Sequence, residues 1–168
     1  PNYFLARGSV GVLSDGMSSR LFTEVREKRG LCYTVYASMH TMKDRGSIFV
    51  YAGTSAERAQ ETLDVTVAEL HRLTQGITQS ELDRLKVSIR SSLVMQQESS
   101  RSRAASIAGD YFHLGKVRTL DEVTDIINGL TVERINEYIA ANPPCDFNLV
   151  SLGQNQLEEP SGVSATSA

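Results

Sequence analysis

GMSSRLFTEVREKRGLCYTVY, residues Gly16 to Tyr36, joins a helix to a strand through one glycine. Leu21, Phe22 and Val25 fall at helical spacing and are predicted to face a core. Glu24, Arg26, Glu27, Lys28 and Arg29 lie mostly off that stripe. The basic last turn suits the negative end of the helix dipole, and Gly30 stands where a left-handed C-cap is wanted. Ser18 is placed as the N-cap. Past Leu31 the period changes to two. Tyr33, Val35, Ala37 and Met39 line one face of a strand, and Thr34, Tyr36, Ser38 and His40 line the other. Lys43-Asp44-Arg45-Gly46 reads as a polar turn, and Ser47 to Ala52 as the second strand of an antiparallel hairpin.

Upstream, Phe4, Leu5, Val10 and Leu13 predict a helix over Tyr3 to Leu13 that tolerates Gly8 and Gly11 and is broken by Ser14-Asp15-Gly16. Downstream, helices follow one another. Thr54-Ser55-Ala56-Glu57 has capping-box spacing ahead of a stripe of Leu63, Val67, Leu70 and Leu73. Thr78 to Glu81 is a second box, opening a helix through Leu85, Ile89 and Leu93. Arg101 to His113 is a further helix, and Thr119 to Glu122 caps a short one ending near Asn128. Thr131 caps another that stops before Pro143-Pro144. Asp146 to Leu152 reads as a closing strand. The order is that of an α+β fold, a mainly antiparallel sheet with helices packed on one face. Residues 1–153 form one domain, and 154–168 read as a flexible tail rich in Ser, Glu, Gly and Ala.

At 168 residues and 40% hydrophobic content the chain can bury a sizeable core. A net charge of −3 with no long basic run argues against nucleic acid as a partner. No apolar run is long enough to span a membrane, and the expectation is a soluble, cytoplasmic-type protein. The two cysteines, Cys32 and Cys145, read as buried thiols, with a disulfide left open. His40, His71 and His113 are too far apart for a pair of ligands on one helix turn, so no metal site is expected in this chain. Neither a G-x-S-x-G elbow nor a P-loop is present. The Cys32 thiol, close behind Arg29, could titrate low, but a buried cysteine at a strand start is the more common case.

The Gly16–Tyr36 stretch resembles the SRLF.E.RE.RGL.Y.VY segment of the C-terminal, non-catalytic domain of pitrilysin-like zinc metallopeptidases. This is the inverzincin family of insulysin and the mitochondrial processing peptidases. Weaker echoes occur at Tyr51-Ala52-Gly53-Thr54 and Thr78-x2-Glu81-Leu82-x3-Lys86. The resemblance implies a processing-peptidase-like metallohydrolase domain with a further strand upstream of the helix near Asn2. It also implies a separate catalytic half carrying H-x-x-E-H and the zinc, the chain alone being inactive. An arginine on this helix and a tyrosine at the start of the next strand reach substrate backbone in the family, and Arg26-x6-Tyr33 matches that spacing. The implied partners are that zinc-binding domain or subunit and a peptide substrate; a second copy is a further candidate, because a sheet lacking its first strand exposes unpaired backbone groups. The runner-up is a catalytically silent structural subunit of the same fold. Only Asp15-Gly16 stands where processing-peptidase α subunits carry a long glycine-rich loop, which argues against a presequence-docking subunit.

Overall fold

Two glycines that would ordinarily weaken a helix set the packing at the centre of the fold. Helix α1 spans Tyr3–Ser14 in a computed structural model that describes residues 2–42 and 45–160. A Cβ on Gly11 would lie 2.4 Å from Leu85 Cδ1, and one on Gly8 would lie 3.1 Å from Ile135 Cδ1. Without those methyl groups, the helices that carry Leu85 and Ile135 close directly on α1. Val10 and Leu13 are buried at the same contact.

The chain turns through Gly16 and becomes helical at Arg20, so Ser18 is not the N-cap. Phe22–Glu27 is a π-helix. The Lys28 N–H donates to Thr23 O at 2.9 Å, five residues back. Gly30 ends it in the left-handed region at φ 61°, as its sequence position demands. Strands β1 (Cys32–Thr41) and β2 (Gly46–Thr54) then pair antiparallel as the expected hairpin. Lys43 and Asp44 of the expected turn lie outside the described residues. Val35, Ala37 and Met39 face the core. The Ala37 N–H donates to Ser14 Oγ at 2.8 Å, so the last residue of α1 satisfies one edge group of β1.

The capping box expected at Thr54 does not form. Thr54 is the last residue of β2, and its hydroxyl donates to Leu31 O at 2.5 Å instead. A short 3₁₀ turn, Ala56–Arg58, leads into α2 (Ala59–Arg72) without a side-chain cap. On α2, Val67 and Leu70 are buried, with Leu73 buried just beyond its end, and Leu63 is half-buried. The boxes at Thr78 and Thr119 both form, opening α3 (Gln79–Glu98) and α5 (Leu120–Asn128). Between them α4 (Ser100–Leu114) buries none of its residues. Its tie to the core runs through Asp110, which binds Arg118, whose guanidinium lies 5.3 Å from the Phe4 ring. Thr131 caps α6 (Val132–Ala141) by accepting from the Arg134 N–H.

The fold is α+β, with the helices gathered on the core face of the hairpin. The expected closing strand is not formed, and among the described residues the sheet has two strands. Asp146 turns into the left-handed region at φ 52°, which interrupts an extended run. Phe147 packs on the His71 ring at 5.6 Å, while Val150 and Leu152 are exposed with no ladder partner. Further on, Glu158 exchanges backbone hydrogen bonds with the Gln60 carboxamide of α2 at 2.8 and 3.1 Å.

Candidate substrate-contact site

The hairpin register decides where Tyr33 points. Cys32 pairs with Thr54 and Thr34 with Gly53, so two residues of β1 advance against one of β2. Tyr33 is the extra residue of this bulge. Strict alternation would bury it beside Val35 and Ala37; the bulge turns it out, 84% exposed. Cys32 stays inside. Burial raises the Cys32 thiol's pKa, against the opposing pull of the Arg26 charge, so it is not an activated nucleophile. Cys145 is exposed and no disulfide joins the two, so the buried-pair expectation fails for Cys145.

The π-helix decides what surrounds Arg26. Leu21 and Val25 are fully buried as expected. Phe22 departs from the expected stripe: it is half-buried and packs outside the core cluster. Its ring faces the Arg26 guanidinium carbon at 4.9 Å, and the same carbon stands 5.6 Å from the Tyr33 ring. The structure therefore brings the two sequence-selected residues together, both exposed.

The charges beside Arg26 are sorted among its neighbours. Glu24, on the same helix, receives Lys28 Nζ at 2.6 Å and Arg29 Nη1 at 2.9 Å, with Arg72 at 3.8 Å. The hydrogen bonds from Lys28 and then Arg29 hold the Glu24 carboxyl below its ordinary range. Arg29 also donates to Glu24 O at 2.8 Å. No ion pair engages Arg26 among the described residues. A guanidinium with five N–H donors thus stands beside a phenol, both able to donate to a carbonyl oxygen gaining negative charge. Next to Tyr33 an open depression of about 920 Å³ is lined by Thr34, Tyr51, Gly53 and Arg58. Arg58 donates to the Gly30 carbonyl at its rim.

Residues 10–88, which include this helix, the bulge and the hairpin, match the family model of the peptidase M16 inactive domain. The chain belongs to that family. An uncharacterized zinc protease of Bacillus subtilis is 40% identical over 128 residues, 74% of this chain and 31% of that protein. One from Mycobacterium tuberculosis is 38% identical over 125 residues, 74% of this chain and 28% of that protein. A solved peptidase M16 inactive domain from Pseudomonas fluorescens superposes with a TM-score of 0.74 at 28% identity, over 84% of this chain and 34% of that one. A protease from Helicobacter pylori superposes at 0.63 and 26%, over 80% of this chain and 33% of that one. The M16 chain thus spans about a third of the length of the relatives it matches.

Within this inactive domain, sequence reasoning missed Arg20. It is 8% exposed and donates to both Glu81 carboxylate oxygens at 2.7 and 3.0 Å. It also reaches Gly76 O at 2.8 Å. No short window of sequence marks it, because its counter-charge lies 61 residues away. Burial pushes Glu81 up, but the Arg20 and Thr78 hydrogen bonds outweigh it and bring its pKa down to about 2. This pair pins the helix bearing Arg26 to the N-terminus of α3. His40 meets Ser38, His71 meets Phe147, and the exposed His113 lies against Phe112. Among the described residues no three His, Cys, Asp or Glu side chains converge to hold a metal. The described residues therefore do not fit the zinc of the family. Among the described residues no helix is long and apolar enough to cross a membrane.

Proposed function

We propose that this chain is the non-catalytic half of a zinc-dependent endopeptidase. It closes a substrate chamber and lends Arg26 and Tyr33 to the substrate backbone beside a zinc held by another domain or subunit. Residues 1–153 are the folded unit that does so. One observation carries the reading. In a basic helix end, Lys28 and Arg29 are paired with Glu24 while Arg26 keeps its donors available against the exposed Tyr33. A residue needed only for the fold would be expected to take the nearby carboxylate. The zinc-protease names of the relatives support the partner half, which this chain needs because its own histidines are scattered.

The test is made in the complete parent polypeptide. Arg26→Ala and Tyr33→Phe each lower kcat/KM about tenfold or more, about 1.4 kcal/mol of transition-state binding. Their thermal midpoints barely move, and the two losses are less than additive if both groups hold one stretch of substrate. Arg29→Ala, in the same turn but bound to Glu24, has the smaller effect on kcat/KM. Equal damage from Arg29→Ala refutes the specific role of Arg26. A parent indifferent to all three changes fits the catalytically silent subunit instead.

A further inference from the structure

Phe22 presents a large apolar ring that the core does not use. Leu21 and Val25 on the same helix are fully buried, whereas Phe22 is half-buried and outside the core cluster. The ring's close charged neighbour is Arg26, one helical turn on, 4.9 Å from the ring centroid. A turn in which Lys28 bonds five residues back to Thr23 frames both residues. Glu24 is occupied by Lys28 and Arg29, and among the described residues no carboxylate fixes the Arg26 side chain. A long arginine without an anchor samples many rotamers, and ordering it on substrate binding costs entropy. A ring face attracts a guanidinium without occupying its N–H groups.

We infer that Phe22 is a positioning residue: it holds the Arg26 guanidinium next to Tyr33 while leaving its donors free for a peptide carbonyl. The ligand class is an extended peptide backbone. This rests on the reading of Arg26 given above, and Phe22 itself touches no substrate. Tyr33 is the second wall, and the bulge at Cys32–Thr34 brings its ring within 5.6 Å of the guanidinium carbon. Two local irregularities, a π-helix and a bulge, thereby converge on one side chain.

The experiment uses the complete parent polypeptide and a peptide substrate. Phe22→Leu removes the ring face and keeps an apolar side chain; Phe22→Met is a second variant of that kind should Phe22→Leu fold poorly. Each lowers kcat/KM roughly threefold, the range of a partly exposed cation–π contact. Phe22→Tyr, which keeps the ring, retains wild-type kcat/KM. In an Arg26→Ala background Phe22→Leu causes no further loss. A loss that persists in that background, or a Phe22→Tyr as impaired as Phe22→Leu, overturns the inference and makes Phe22 a packing residue. An Arg26→Ala loss with a silent Phe22→Leu overturns the inference and leaves the role of Arg26 standing. A silent Arg26→Ala fails one stage earlier and removes both. A readout besides activity is the Nε–H resonance of Arg26 in arginine-labelled protein. It is shifted upfield by ring current in wild type and Phe22→Tyr and relaxes toward its free value in Phe22→Leu. An unshifted wild-type resonance overturns the stack whatever the kinetics.

Discussion

Glu81→Gln is the sharpest test of how the helix bearing Arg26 is held. Glu81 is bound through both oxygens by Arg20, with side chains 13% and 8% exposed. Its pKa stands at about 2 against an ordinary 4.5. A folded-state value below the unfolded one adds stability that is complete above the unfolded pKa and fades as pH falls toward the folded one. The difference of about 2.5 units corresponds to about 3 kcal/mol at pH 7, falling to about 1.4 at pH 3 and below about 0.5 at pH 2. Glutamine keeps the shape and an acceptor for the Thr78 N–H but leaves the Arg20 guanidinium buried without its counter-charge. The variant is expected to lose about 3 kcal/mol at pH 7 in a denaturant titration and to converge on wild type near pH 2. Thr78→Ala serves as a comparison, losing about 1 kcal/mol of capping and, with the Thr78 hydroxyl's bond to Glu81 gone, a small part of the acid-side slope, most of which stays with Arg20. A Glu81→Gln variant within about half a kcal/mol of wild type at pH 7, or parallel to it down to pH 2, refutes the argument that this pair fastens the helix to α3.

Leu70→Ala is expected to cost about 2–5 kcal/mol, since Leu70 is buried on α2 among the core residues, and denaturant titration reads it. The chain on its own is expected to bind no stoichiometric zinc, and metal analysis showing one tightly held ion per chain would contradict this. Because a two-stranded hairpin leaves backbone groups unpaired at its edges, the isolated chain should self-associate or pair with its upstream half. Sedimentation at high micromolar concentration, with and without that half, checks it. Strict monomers in both cases would reject it.

Much of the candidate site was legible because its signals are local. The spacing Arg26-x6-Tyr33, the glycine that ends the helix and the threonines that cap α3 and α5 depend on residues within one or two turns. The capping box at Thr54 failed for a reason outside that range. Its hydroxyl is claimed by Leu31 O, 23 residues away, across the base of the hairpin. The closing strand failed likewise, because an extended run becomes a strand only where another strand offers its edge.

By itself the sequence determined the helical and hairpin elements, the separation of apolar from charged positions, and the residues that mark the family. These follow from periods of 3.6 and 2 and from turn chemistry, which any short window carries. Three things were settled only by the tertiary structure. The bulge flips Tyr33 out of the core face, because one extra residue on β1 shifts its register against β2. The π-helix and its packing leave Phe22 to Arg26, because the core contact is already filled by Leu21 and Val25. Arg20 becomes a buried anchor because Glu81, 61 residues later, arrives with the charge that makes its burial tolerable. Register, core occupancy and counter-charge are relations between distant segments, and they exist only once the chain has brought those segments together.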